Sequence, residues 1–437
     1  MTIDRSAPAG TPSRCSGPGW RCVYPRLAAV VVGVAACVAA PSFAAADAPD
    51  ELPGPLRVVD AVRIAKQHRA EVIAARARAR AAAERPAIVS ALDDPEVFSS
   101  IDHLPFMGGG ADLSLAIEQR FPLSGIRGHR RSAAEADARR ALAEVDRAGL
   151  DVELQAAAAF WMLAELRERA RLLDDQRALA DQMAAAAMAR FSTSAGMQAE
   201  VLRAQLEVER FAGEQRAIVA ELRGAEAMLD ASLARPADAP IPELDATAPD
   251  AEPAPAAAIA SAAIANRPEL RAGHAEIARA EAEVSVMRSM YAPMAMVRTG
   301  PSYTMADGAG WMVMVGVSIP LWRGKLRAGV NEARAMADMA SADLDAMRRM
   351  ISGEASAARE RVAAARARYL ALRDNIVPRA REAIAPALTA YAASQTPLVS
   401  AIEAAQALWE SQRELAMART ELGLAWARLN RTTGETP

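Results

Sequence analysis

The chain is written twice. Arg69-Ala70-Glu71-Val72 matches Arg267-Pro268-Glu269-Leu270 at an offset of 198, and the same offset pairs Pro95 with Pro293 and Phe121-Pro122-Leu123 with Ile319-Pro320-Leu321. Further on the offset becomes 200, pairing Phe191 with Tyr391, Glu221-Leu222 with Glu421-Leu422, Ala225 with Ala425 and Leu229 with Leu429. Order preserved over such a length means two copies of one unit, and the fold must be one that a tandem pair can build. The copies span 47–233 and 257–433, joined by a connector at 234–256 that holds six of its prolines between Pro236 and Pro255.

Each copy predicts the same elements in the same order. A helix (about 58–91 and 257–290) leads to a strand beginning near Pro95 or Pro293. A glycine-bearing turn follows, Gly108-Gly109-Gly110 or Gly308-Ala309-Gly310, and the second strand ends at Phe121-Pro122-Leu123 or Ile319-Pro320-Leu321. These second strands alternate with period two. Leu113, Leu115, Ile117 and Phe121 lie opposite Asp112, Ser114, Glu118 and Arg120; Trp311, Val313, Val315, Val317 and Ile319 lie opposite Met312, Met314, Gly316 and Ser318. Such strands suit a barrel wall between lipid and a wet lumen. A half-buried hairpin on a soluble core is the competing explanation of one such pair alone.

The helices weigh for the wall. A helix over 130–190 would run roughly 90 Å at 1.5 Å per residue, longer than a compact globule needs. Its copy covers about 326–391, with a kink expected at Pro378 or Pro386, and second long helices cover 198–233 and 398–432. Leu150, Leu154, Ala157, Trp161 and Ala164 form a four-three stripe that Glu168 interrupts, the pattern of a coiled-coil partner. Composition agrees: 52% of residues are hydrophobic but only 4% aromatic, so the apolar content is mostly Ala, Leu, Val and Met. Alanine-rich helices form readily and pack closely.

The N-terminus reads as an export leader. Arg21 and Arg26 precede an apolar run from Leu27 to Ala40, and small residues at Ala44 to Ala46 place cleavage after Ala46. An uncleaved anchor is one alternative; another is acylation of Cys37 within Val34-Ala35-Ala36-Cys37. All three cysteines (Cys15, Cys22, Cys37) lie in this leader, leaving no disulfide framework, thiolate metal site or cysteine nucleophile. The formal charge of −3 offers no basic excess for nucleic acid. No later stretch is apolar enough for a spanning helix, so any membrane insertion must use strands.

No catalytic constellation emerges. His68, His103, His129 and His274 have no metal-ligand spacing, and Gly108-Gly109-Gly110 lacks a following Lys-Ser/Thr. No cofactor, metal or catalytic residue is assigned. Seven methionines, Met287, Met290, Met294, Met296, Met305, Met312 and Met314, cluster around the second strand pair. Thioethers suit Cu(I) or Ag(I); methionine is also a flexible apolar filler.

Strand pairs followed by paired long helices, twice over, resemble the TolC family of trimeric outer-membrane channel-tunnels over nearly the whole exported chain. The helix-turn tips carry the most specific likeness. The family pattern, Tyr-x-x-Gly followed by Asp-Val-Leu-Asp-Ala, stands here as Tyr391-Ala-Ala-Ser394 with Ser400-Ala401-Ile402-Glu403-Ala404. The first copy has Phe191-Ser-Thr-Ser194, Gly196 and Glu200-Val201-Leu202-Arg203-Ala204. Serine at the glycine position argues against a left-handed turn at Ser194 or Ser394 and leaves Gly196 to serve in the first copy. The resemblance implies a mainly α protein with a β-barrel part, a homotrimer whose strands close a barrel among outer-membrane lipids and whose helices form a periplasmic tunnel. It further implies a periplasmic adaptor at the tips and an inner-membrane pump beyond, with metal ions, drugs, other small molecules or proteins as cargo. Tyr391 and Glu403 fall at the family's constriction, and Phe191, Ser194, Gly196, Ser394 and Thr396 at the adaptor-facing tips. Thr396 replaces an Arg that pairs across the gate in some members, so closure is expected to rest on packing and weaker hydrogen bonds. A pore-free periplasmic coiled-coil scaffold or adaptor is the alternative.

Overall fold

A computed structural model describes residues 51–102 and 111–435. Cys37, the cleavage position after Ala46, His103 and the Gly108-Gly109-Gly110 turn lie outside the described residues. The first unit opens with a two-residue strand, β1 (Leu56–Arg57), and helices α1 (Val58–His68) and α2 (Ala70–Ser90). Strands β2 (Glu96–Asp102) and β3 (Asp112–Pro122) follow, then the 67-residue α3 (Ile126–Ser192) and α4 (Gln198–Ser232). In the connector β4 (Leu244–Asp245) turns back to pair in parallel with β1. The second unit repeats the order with α5 (Ala256–Asn266), α6 (Pro268–Ser289), β5 (Met294–Thr304) and β6 (Gly308–Ser318). It ends with α7 (Arg323–Ala371), α8 (Val377–Ala392) and α9 (Leu398–Thr433). At 1.5 Å per residue α3 alone is roughly 100 Å long.

Three expectations change. The leading helices are each broken in two, at Arg69 (φ −63°, ψ 131°) and at Arg267 (φ −62°, ψ 125°). Pro268 excludes helical backbone at the residue before it. At Arg69 no proline follows, and the side chain holds the break: its guanidinium binds Glu71 two residues on and Gln155 of α3 at 2.9 Å. Arg267 repeats this with both oxygens of Glu269 at 3.1 Å and reaches Glu354 of α7 at 2.7 Å. Burial would raise the Glu269 carboxyl, but the hydrogen bonds from Arg267 and Arg431 outweigh it and bring it down to about 2. The sequence signature that announced the repeat is therefore this clamp.

Secondly, the kink near Pro378 is a π-turn, Leu372–Ile376, in which the Val377 N–H reaches the Leu372 carbonyl. Proline cannot donate to the carbonyl four residues back, so the ladder is displaced by one residue just before it. Pro386 is contained within α8, and α3 carries no such interruption. Thirdly, the turn between β5 and β6 is Met305-Ala306-Asp307, closed by Gly308 at φ 78°, while Ala309 and Gly310 already belong to β6.

Every long hairpin helix ends in a left-handed residue, and these recur at the offset of 200: Ser194 with Ser394 (both φ 59°), Ala234 (φ 59°) with Gly434 (φ 74°). Serine adopts the conformation at both tips, and Gly196 is not among the positive-φ residues, contrary to expectation. The compensation is hydrogen bonding. Ser194 N–H binds Phe191 O at 3.0 Å and Ala195 N–H binds Arg190 O at 2.9 Å; Ser394 and Gln395 do the same to Tyr391 and Ala390. This paired pattern satisfies carbonyls that the helix end leaves free. A prediction follows from the other pair. Ala234→Gly is expected to stabilise the protein by about 1 kcal/mol, because alanine carries a steric cost there that glycine escapes. A thermal melt of the detergent-solubilised protein that fails to shift upward would contradict it.

Leu56, Phe160, Trp161, Leu163, Leu229 and Leu233 form one buried core with α1, α3 and α4. Ile351, Val362, Leu422 and Leu429 anchor a second between α7 and α9.

Candidate functional site

Two regions carry the features of a conduit: the sheet at one end of the helices and the tips at the other. The four longer strands form one antiparallel sheet in the order β2-β3-β5-β6, so β2 and β6 each have an unpaired edge. The register sorts the side chains onto two faces. On the outer face Val97, Ile101, Leu113, Leu115, Ile117, Trp311, Val313, Val315 and Val317 are all at least half exposed. None of the described residues covers them, which is costly in water and favourable in hydrocarbon. Trp311, whose indole N–H binds Thr299 Oγ1 at 2.7 Å, and Tyr303 lie at the turn end; Phe121 and Trp322 lie at the helix end. Aromatics at both rims of an apolar band mark membrane strands. Eleven residues in β3, β5 and β6 suffice for a tilted crossing. Among the described residues no helix is long and apolar enough to cross a membrane.

The inner face of β2 and β3 carries mostly polar residues, and β5 adds Arg298 to it. Glu96, Glu118 and Arg298 stand in one row across β2, β3 and β5. Glu118 is buried, receiving Arg298 Nε at 2.9 Å and Arg120 Nε at 3.1 Å. Arg298 stacks 4.5 Å from the Phe98 ring centre, and Ser100 and Ser114 share a hydrogen bond of 2.6 Å. A carboxylate can be buried here because two guanidinium groups compensate its lost hydration.

At the tips the aromatic pair related by the repeat has opposite fates. Phe191 is exposed, as is the nearby Met197, whereas Tyr391 is completely buried. Arg190 of α3 stacks on Tyr391, 4.4 Å from its ring centre, and donates to its carbonyl at 2.9 Å and to Ala195 O at 3.1 Å. The Tyr391 hydroxyl points to Glu200 at 3.5 Å, and burial and then that carboxylate raise its pKa above the ordinary phenol value. Gln406 donates to Glu207 at 3.1 Å and Phe211 meets Trp409 edge-on at 4.7 Å, so the α3–α4 hairpin is zipped to α8–α9 above the tips. Glu403 is exposed on α9, and Ser194 and Ser394 cap the tips in the open. Gly196 lies against the end of α3, where a Cβ would come within 3.1 Å of Arg190 Cβ. Thr396 has a buried hydroxyl with no hydrogen-bond partner among the described residues. A cation does bridge the hairpins, supplied by the opposite one: Arg190 has Ala390 as its repeat counterpart, and a charge in only one copy was the signal available in the sequence.

Residues 259–435 match the family described as outer membrane efflux protein. No curated protein matches the sequence. Among solved structures the chain is similar to the outer membrane protein VceC from Vibrio cholerae, at 16% identity and TM-score 0.73 over 86% of this chain and 96% of that one. The Campylobacter jejuni outer membrane channel CmeC gives 14% identity and TM-score 0.71 over 86% and 85%. CusC, which forms a transmembrane channel, gives 12% and 0.77 over 86% and 92%. At these identities the likeness is one of fold.

Proposed function

We infer, for a chain whose second unit belongs to the outer membrane efflux protein family and whose whole fold is that of the outer-membrane channels, that it is the duct subunit of a tripartite efflux pump. It resides in the outer membrane of a Gram-negative bacterium and extends into the periplasm, and its family is one of channels rather than enzymes. The observation that carries this reading is the sheet: apolar outside, with charged, small polar, glycine and methionine residues inside, two unpaired edges, and a continuation into helices of roughly 100 Å. Unpaired strand edges have no place in hydrocarbon. Three copies of this chain, each giving four strands, would pair every edge and close a barrel, with the long helices continuing its lumen. A pore-free scaffold leaves the apolar outer face without a purpose.

The tips suit contact with a periplasmic adaptor that joins the duct to an inner-membrane pump. Phe191 and Met197 present apolar surface there, beside the caps at Ser194 and Ser394 and the turn residues Gly196 and Thr396. The constriction is assigned to the α8–α9 tip. Tyr391 holds the end of α8 against α4, and the exposed Glu403 offers its charge to the lumen. Arg190 keeps this tip docked.

Two measurements test these assignments. The purified protein is expected to run on a gel as a detergent-stable trimer that heat converts to monomer; a monomer soluble without detergent would end the reading. In planar bilayers Arg190→Met, which removes roughly 2 kcal/mol of stacking and charged hydrogen bonding, should raise conductance severalfold. Glu403→Ala should alter conductance and cation preference, and unchanged currents would remove Glu403 from the constriction.

A further inference from the structure

The methionines around the second strand pair fall into an order that their spacing in the sequence hides. Met296 pairs with Gly316, Met314 with Arg298, Met312 with Gly300 and Met294 with Ser318. All four methionines therefore stand on the inner face of the β5–β6 ribbon, and each successive inward-facing level holds one: Met294, Met296, Met314, then Met312. Successive levels are two residues, about 7 Å, apart. Three of the four face a glycine or serine across the ribbon, which leaves room for a long side chain, and the Met296 Cε already lies over Gly316.

Core filling does not account for them. Their neighbours on this face are Arg120 and Pro122 of β3 with Arg298, Ser302, Ser318 and glycines, and Met294 and Met314 remain about two-fifths exposed, at 39% and 44%. The corresponding face of β2–β3 has no methionine at all; it carries Glu96, Asp102, Asp112 and Glu118 with Ser100 and Ser114. The two ribbons share a fold and a genome, so the methionines are a property of the second ribbon alone. Among the described residues no group of His, Cys, Asp or Glu is placed to hold a metal ion, so the only ligand chemistry gathered on this wall is the thioether. Thioethers are soft, uncharged ligands that favour soft monovalent metals and bind hard or borderline divalent ions poorly.

We propose that the β5–β6 inner face is a stepped thioether track for soft monovalent metal ions, Ag(I) or Cu(I), passing along the duct wall. The proposal rests on the duct reading, since it requires this face to line a lumen. It makes soft metal ions a cargo class.

The test uses silver nitrate in chloride-free buffer with the purified full chain in detergent, followed by equilibrium dialysis and metal analysis. The comparison is a variant carrying Met294→Leu, Met296→Leu, Met312→Leu and Met314→Leu, which keeps side-chain volume while removing every sulfur on the track. Wild type is expected to bind Ag(I), and the variant at least about tenfold more weakly, while it still runs as the same heat-modifiable species in detergent. A second variant, Met336→Leu with Met339→Leu on the exposed part of α7, should bind as wild type does. Equal binding by the wild type and the four-leucine variant, or binding by neither while both conduct, would overturn the track and leave the duct standing. A wild type that never forms a conducting pore would overturn both.

Discussion

Gly300→Ala is expected to abolish assembly of the barrel. On β5, between the Ser114–Ser302 and Thr299–Ile117 pairings, Gly300 passes so close to β3 that a Cβ would lie 2.0 Å from Leu115 O and 2.7 Å from Ala116 Cα. Both atoms are backbone, so no rotamer change relieves the contact and the strands must part. Among the described residues, the β3–β5 seam is where the strand pairs of the two units join into one sheet. Opening it leaves two separate two-stranded ribbons, which are marginal on their own. The expected result is loss of heat-modifiable trimer from the outer-membrane fraction. Gly310→Ala is the control, because a Cβ there would meet nothing nearer than Ser302 Oγ at 3.7 Å. A Gly300→Ala protein that trimerises at wild-type levels would show that the seam tolerates separation and that closure depends on other strand pairs.

Gly423→Ala should be nearly as damaging, at the opposite end of the energetic scale from a surface change. Gly423 of α9 lies flat against the indole of Trp161 on α3, with the nearest ring carbons 2.1 to 2.6 Å from where a Cβ would stand. Trp161 is buried against Phe160, their ring centres 5.5 Å apart. Its backbone carbonyl accepts Thr420 Oγ1 at 3.3 Å, holding the two helices at this crossing. Overpacking of this kind costs about 3 kcal/mol, the upper end for a filled core. Adding Trp161→Leu to Gly423→Ala should recover part of that loss, although either change alone destabilises. Melting temperatures of the four detergent-solubilised proteins form the cycle, and strict additivity would refute the steric account.

Much of the architecture was legible in the residues because it is written in short-range pattern. Period-two alternation in 113–121 and 311–319 marked the strands and which residues share a face. The order of elements was legible twice over, and the family and fold comparisons agree with the reading drawn from it. The tips were less legible. Ser194 and Ser394 lack the glycine that announces a left-handed cap, and the backbone hydrogen bonds that hold them there have no signature in side-chain type. Phe191 and Tyr391 occupy equivalent positions, yet one is exposed and the other buried, because only the second meets Arg190 and Glu200 of the other hairpin.

By itself, then, the sequence determined the duplication, the apolar and polar faces of the strands, and helices too long for a globule. Each depends on neighbours within a few residues or on one copy compared with the other. Tertiary structure alone decided where the copies meet. The β3–β5 seam at Gly300, the Gly423–Trp161 crossing and the Arg190–Tyr391 stack join residues roughly 185 to 260 positions apart. At such separations no local propensity or period records the contact. The same holds for the methionines: their number was plain, but one thioether per level exists only once the β5–β6 register brings two strands side by side.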